Sequence, residues 1–405
     1  MDMVKVFSEI KKTYGGLPTA IWILAITQLM NRAGAMVVFF LAIYLKKELE
    51  FEFTQVGWAM AIYGAGSISG VKIGGYLTDR IGFFKVMVTS LLIGAGCFIV
   101  VSFVRNYNLL LPGLFIMAFS SEAYRPANMA AVSLFSNAQN YLKAITLNRL
   151  AINLGFAIGP ALGGVLASFN YQYIFWADAA SSILAAGMAL LFLRHHRQLT
   201  PTGAGDTTFI STSPYKDKLF LWFLPMVSLY SIAFLQLFTT MTIYYQEVER
   251  LTKIQIGQLL ALNGGIVAVF EMFLISKIGH RAKAMQFIGI GAVLLMGCYA
   301  LLYVAHGYGW MVILTIFASL SEMFAMPFMN TFMNDRSTAA NKGQYSSLYI
   351  IAWSLSHIIT PLLATGIAQY GGYQALWTTM LVFASMCLLL SQLILRWSRD
   401  VVVKQ

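Results

Sequence analysis

Five ionisable side chains, Arg32, Glu122, Arg125, Glu271 and Glu322, stand inside long apolar stretches of this chain. Each costs at least about 2.5–3.5 kcal/mol at the centre of a lipid-embedded helix, so each needs a partner or a task there. Arg32 lies near the middle of the first stretch and calls for an acidic partner or an anionic ligand. Glu122 and Arg125 are three residues apart and share one helix face. Either they neutralise each other, or Arg32 and Arg125 compete for one carboxylate and leave a net positive cavity. Glu322 has no cation in its own stretch, and a carboxyl so placed can exchange a proton as coupling to a proton gradient requires. Glu271 is similar but lies nearer the end of its stretch, with Lys277 in reach. Glu322, Glu271 and Glu122 are therefore the candidates for proton coupling.

Neutral polar residues complete the candidate site. Asn31 beside Arg32, and Tyr244 and Asn263 in later stretches, are candidate substrate contacts with Arg32, Glu122 and Arg125. Asp178 is expected in the first turn of its helix, where the helix dipole accounts for a carboxylate. Lys72 is near a helix end and can extend its ammonium outward. The chain offers no nucleotide-binding loop, no Ser/His/Asp set with a nucleophile elbow, and no metal-ligand spacing. Cys97, Cys298 and Cys387 are scattered singly. An enzyme is not expected, and neither is a cofactor or a metal.

The elements that position these residues follow from composition. The chain has 405 residues, 59% hydrophobic and 11% charged, with a mean hydropathy of +0.71. A soluble domain carries about 25% charged residues. Twelve stretches reach roughly the 20 residues a membrane helix needs, and lipid tolerates no open strand edges, so they must be helices. The net charge of +11 is not a nucleic-acid signal. With the N-terminus inside, 19 of the 27 Lys and Arg fall on the cytoplasmic side and five in outer loops, with three inside spans. That is the positive-inside asymmetry. Both termini are expected in the cytoplasm, in a multi-pass protein of the plasma (inner) membrane.

A polar stretch from Arg194 to Lys218 divides the spans six and six. The expected division is residues 1–194, a linker 195–218, and residues 219–405. The halves are related. Ile43, Tyr44, Gln55, Gly57, Ala61 and Gly64 recur 200 residues on as Ile243, Tyr244, Gln255, Gly257, Ala261 and Gly264, and Ser121-Glu122 recurs as Ser321-Glu322. Leu147, Pro160 and Trp176 recur 201 residues on as Leu348, Pro361 and Trp377. The expected fold is an all-α integral membrane protein of twelve helices in two pseudo-symmetric six-helix bundles. Such repeats place a ligand near the membrane mid-plane.

Between spans two and three runs Gly74-Gly75-Tyr76-Leu77-Thr78-Asp79-Arg80-Ile81-Gly82-Phe83-Phe84-Lys85. From Gly75 to Gly82 it resembles the G-x-L-a-D-r-x-G loop of the major facilitator superfamily, and the twelve spans, repeat and central linker extend the likeness over the whole chain. The family pattern has basic residues where Phe83 and Phe84 stand here, with Lys85 one place later. Span five carries Gly155, Gly159-Pro160 and Gly163-Gly164, which resembles the G-P-x-x-G-G element of drug and metabolite antiporters. The glycine of that element upstream is Thr146 here. Small residues at four-residue spacing let helices approach closely, and Pro160 removes a backbone bond. Gly75, Asp79, Arg80, Gly82, Lys85, Gly155, Gly159, Pro160, Gly163 and Gly164 are the gating candidates. Asp79 would accept from a helix N-terminus in one access state only and so bias the two-state equilibrium. Its counterpart, Ser276-Lys277-Ile278-Gly279-His280-Arg281, lacks the acid.

The resemblance, closest to bacterial drug and metabolite proton antiporters, implies a monomeric secondary transporter. It would work by alternating access on a small molecule and protons in a lipid bilayer, with no nucleic-acid partner. Proton-coupled efflux of an amphipathic compound is the expected function. The alternative is a proton-coupled or facilitative importer of an anionic nutrient or chelate held by Arg32 and Arg125.

Overall fold

The computed structural model describes residues 15–137, 139–193, 214–278, 284–304, 306–337 and 341–402, with the side chains of 142, 271–278, 342–343 and 398–402 excepted. Among the described residues the chain is helical throughout and crosses twelve times. The first crossing is made of α1 (Thr19–Ala33) and α2 (Val37–Ile43), the latter running on into a wider turn, Tyr44–Glu48. There follow α3 (Phe53–Ile81), α4 (Phe83–Phe103), α5 (Tyr107–Leu134), α6 (Tyr141–Phe169) and α7 (Tyr171–Phe192). The seventh crossing is again broken, into α8 (Lys218–Leu235) and α9 (Thr240–Glu247) around a tight turn at Gln236–Phe238. Then come α10 (Lys253–Ile278), α11 (Ala284–Leu301), α12 (Tyr308–Arg336) and α13 (Lys342–Val402). The last supplies two crossings, divided at Gly372, whose φ of 74° ends one helix before the other starts.

Helix starts are capped as their sequences dictate. Asn106 accepts from the amides of Asn108 and Leu109, Asn170 from that of Gln172, and Asp217 from that of Phe220. The repeat is visible in the backbone. Glu50 and Arg250, 200 residues apart, both take a positive φ, 57° and 54°. Gln55 and Gln255 then receive the amides of Glu52 and Thr252 at 3.0 and 2.9 Å.

The chain packs into two compact units. One comprises Met1–Val38 and Ile62–Gly203, the other Phe39–Ala61 and Ala204–Gln405. Residues 39–61 join the second unit through specific contacts. Lys47 pairs with Glu247 at 2.9 Å, Thr54 donates its amide to Gln369 at 2.9 Å, and Gly57 lies against the Pro361 carbonyl.

The core of the first unit gathers Leu24 from α1, Met87 from α4, Ala127 from α5, Leu147 from α6 and Ala185 from α7. Phe83 and Phe84 belong to it, Phe83 meeting Phe135 edge-on at 5.8 Å. Aromatic packing thus occupies the two positions that are basic in the family loop. Outward faces carry large apolar side chains such as Val100, Leu109 and Leu191, as helices bathed in lipid require.

Candidate functional site

The first unit holds a charged centre. Arg32, in the last turn of α1, reaches Glu122 in the middle of α5, Nη1 to Oε1 at 3.0 Å. Arg125, one turn further along α5, approaches the other oxygen of the same carboxylate at 3.9 Å. One carboxylate therefore serves two guanidinium groups. Their exposures separate them: the Arg32 side chain is 11% accessible, that of Glu122 19%, and that of Arg125 61%. Arg32 also lies over the Phe156 ring at 5.7 Å, where the π face attracts the cation. Asn31 is half-buried beside it.

Two glycine contacts set this geometry. Gly66, Gly70 and Gly74 of α3 press against Phe115, Phe119 and Ala123 of α5 in step, so that the two helices run parallel in contact. A Cβ on Gly74 would fall 2.7 Å from Ala123 Cα, next to Glu122. Gly75, the gating candidate beside it, makes no such approach: a Cβ there would meet only Pro126, at an ordinary 3.8 Å. The contact belongs to its neighbour because four-residue spacing from Gly66 and Gly70 falls on Gly74. On the other side, a Cβ on Gly155 of α6 would lie 2.5 Å from Arg32 Cβ, and one on Gly159 3.1 Å from the Ala33 carbonyl. The span-five glycines thus close on the helix end that carries Arg32. α6 continues helical through Pro160, and Gly163 and Gly164 are buried in it.

Below the pair lies a buried amide network absent from the expectations. Asn128 of α5 donates to Gln28 of α1 and to Asn148 of α6, both at 2.9 Å, and accepts from Tyr124 at 3.3 Å. Gln28 stands one turn before Arg32, and Asn128 one turn beyond Arg125. Their spacing is legible in the sequence, but nothing local to Gln28, Asn128 or Asn148 shows that three different helices bring them together. Asp178 also differs from expectation. It lies in the third turn of α7, not the first, and caps a different helix: its carboxylate accepts from the amides of Met36 and Val37.

In the second unit Glu322 occupies the repeat position of Glu122. Its Oε2 accepts from Asn263 Nδ2 at 3.1 Å, and the same nitrogen reaches Ser319 Oγ at 3.0 Å. Two expected site residues are thus brought together. Tyr244 is buried edge-on against Tyr373 and Trp377, at 5.1 and 5.3 Å, and its hydroxyl donates to Glu249 at 2.8 Å. Burial works against the Glu249 carboxylate, but the Gly307 amide, His306 and Tyr244 outweigh it and hold its pKa below the usual range. The backbone of Glu271 is in α10, while its side chain lies outside the described residues, as do residues 279–281 of the counterpart loop and the linker to residue 213.

The gating loop forms the end of α3. Thr78 donates to the Gly74 carbonyl at 2.7 Å, and Gly82, at φ 87°, turns the chain into α4. Arg80 stacks over Tyr76 at 4.7 Å, and Lys85 is exposed. Asp79 is exposed too, with no hydrogen bond or ion pair among the described residues.

Twelve membrane crossings in two related halves, with ionised groups at mid-span, define a secondary transporter. The sequence pattern of the Major Facilitator Superfamily matches residues 24–361, and the chain belongs to that family. It is similar to the Na(+), Li(+), K(+)/H(+) antiporter of Planococcus maritimus, 23% identical over 84% of this chain and 88% of that one. It is also similar to the quinolone resistance protein NorA of Staphylococcus aureus (strain MSSA476), 21% identical over 81% of this chain and 84% of that one. Among solved structures, a POT family transporter in complex with 5-aminolevulinic acid superposes with a TM-score of 0.80. That match has 15% identity and covers 95% of this chain and 97% of that one, a likeness of fold.

Proposed function

We propose that the chain is a proton-coupled exporter of a small amphipathic compound. The observation that carries this is the single Glu122 carboxylate facing two guanidinium groups. A proton and a donor or cationic group of the substrate compete for that one carboxylate, so each excludes the other as exchange requires. Glu322, hydrogen-bonded to a neutral amide, is the second proton site, and Glu271 a third. Asn31, Tyr244 and Asn263 complete the substrate contacts. The relatives named for a cation/proton antiporter and for quinolone resistance support exchange and an amphipathic cargo.

In this scheme a carboxylate loads a proton from outside as substrate leaves, and deprotonation inside resets it. The loop Gly75–Lys85, with Asp79, Arg80 and Gly82, and the glycines and Pro160 of α6 regulate the switch. The basic excess on one side supports a plasma-membrane carrier with both termini cytoplasmic and bundles at 1–194 and 219–405 about the linker. The carrier works as a monomer.

A fluoroquinolone offered to everted vesicles tests the reading. Accumulation driven by an acid interior supports efflux by antiport, and indifference to the gradient sinks proton coupling. A second reading rests on Arg125. At 61% exposure and 3.9 Å from a carboxylate already paired with Arg32, it leaves a net positive centre suited to import of an anion. Greater thermal stabilisation of the purified protein by anions or zwitterions than by lipophilic cations favours that reading.

A further inference from the structure

Span one does not cross the membrane as one helix. α1 ends at Ala33 and α2 begins at Val37, which strands amides at the start of the second segment. At that depth lipid offers them no acceptor. One side chain takes two of them: Asp178 Oδ1 accepts from Met36 at 2.9 Å and Oδ2 from Val37 at 3.0 Å. Asp178 is 1% exposed. The break is pinned from the same helix, since a Cβ on Gly34 would run into the Ser181 side chain, whose hydroxyl donates to the Asp178 carbonyl. Arg32 sits four residues before Met36, in the turn this clamp terminates.

The repeat shows that the fold does not demand an acid here. Span seven is broken near the corresponding place, and the groups described on the carbonyls that end its first segment are neutral. Gln236 donates to the Ile232 carbonyl at 3.3 Å, Thr239 to that of Leu235 at 3.2 Å, and Tyr299 to that of Ala233. The counterpart of Asp178, Thr379, bonds its own Ala375 carbonyl. A carboxylate is the costlier solution at this depth.

Among the described residues, the groups around Asp178 leave it without a cation. On α1 the charged residue is Arg32, held by Glu122. α4 is registered on α7 by the bond from Trp176 to Ser102, so Lys85 is roughly 20 Å away along the helix, at 1.5 Å per residue. Tyr141, Lys143 and Arg149 belong to the far end of α6. Tyr63 of α3 is the titratable group among the described residues that faces it.

We propose that Asp178 is a positioning residue for transport that also binds a proton. Ionised, it holds span one broken and fixes the placement of Arg32. Protonated, it presents a hydroxyl where an acceptor stood, one amide of the pair is released, and the break relaxes together with Arg32. This rests on the proton-coupled reading above.

Hydrogen–deuterium exchange on the full chain in lipid nanodiscs tests it, with rates over residues 34–43 normalised to the intrinsic amide rate at each pH. In the wild type, Met36 and Val37 are both protected at pH near 8, and one of the two loses about tenfold or more of that protection near pH 5.5. Asp178→Asn leaves one of the two unprotected at both pH values, and Asp178→Glu recovers protection with its pH dependence. Unchanged exchange in α4 confirms folding. Equal protection in wild type and Asp178→Asn, or wild-type protection indifferent to pH, overturns the proposal. If Asp178→Asn does not fold, the wild-type pH series and Asp178→Glu decide. No transport is measured, so a carrier that ignores a proton gradient but shows this exchange pattern removes proton-driven transport and leaves the clamp.

Discussion

Glu122 and Glu322 stand 200 residues apart at the same place in two related halves, and the partners described for them differ in charge. Glu122 faces two guanidinium groups, whereas Glu322 takes a hydrogen bond from the neutral amide of Asn263. The repeat itself therefore asks for a carboxyl at this depth, while the partners were chosen separately. Neutralising Glu122 strands two cations, one of them mostly buried. Neutralising Glu322 leaves its amide contact able to persist. In the proposed cycle the two acids take different tasks, Glu122 exchanging a proton for substrate and Glu322 carrying a proton alone.

Glu122→Gln breaks the comparison most severely. It leaves Arg32 without its counter-charge, and losing one partner of a buried pair costs about 3–5 kcal/mol. The expected outcome is a large fall in melting temperature together with loss of transport. An unchanged melting curve refutes the claim that Glu122 neutralises this centre. Glu322→Gln is expected to do the reverse. The amide keeps the size and an acceptor oxygen, so stability changes by about 1 kcal/mol or less, yet gradient-driven accumulation is lost while binding of the same compound remains. Uphill transport at wild-type rate in reconstituted vesicles would show that Glu322 carries no proton.

Much of the first centre was legible in the sequence. Arg32, Glu122 and Arg125 announced themselves because charge is expensive in lipid, and competition for one carboxylate was one of two arrangements the spacing allowed. Three things were not legible. The glycine stripe at 66, 70 and 74 was hidden behind the neighbouring family loop, which drew attention to Gly75. The breaks in spans one and seven leave no strong signal, because the apolar character runs through them. Asp178 was assigned to its own helix end, since sequence gives no sign that α7 brings it against Met36 and Val37.

The loop after α3 extends the contrast between halves, because its counterpart in the second half has no acid. Asp79 is exposed and has no partner among the described residues, so Asp79→Asn should leave stability within about 0.5 kcal/mol. If the carboxylate is used only in another access state, turnover falls by about tenfold with substrate affinity little changed. Wild-type turnover in this variant removes the loop from the mechanism.

The smallest effect is expected where the second half keeps an ion pair outside the lipid. Asp217, at the start of α8, receives Arg336 Nε and Nη2 at 2.6 and 2.8 Å and the Tyr345 hydroxyl at 3.0 Å. Its counterpart 200 residues earlier is the apolar Leu17, so the halves place an Arg–carboxylate pair at opposite depths, mid-span in one and at a helix end in the other. Burial disfavours the Asp217 charge, but Arg336, the Phe220 amide and Tyr345 outweigh it and hold its pKa below the usual value. The stabilisation is therefore present above the ordinary aspartate pKa of about 4 and is lost as pH falls through the depressed value. Asp217→Asn keeps a good cap and gives up a charge-assisted pair that water can partly replace, so the cost at neutral pH should be about 1 kcal/mol. In acid, wild type and variant should converge. Melting curves measured from neutral pH downward check this, and a gap that persists or widens in acid means that the packing of the side chain, not its charge, stabilises this end of the helix.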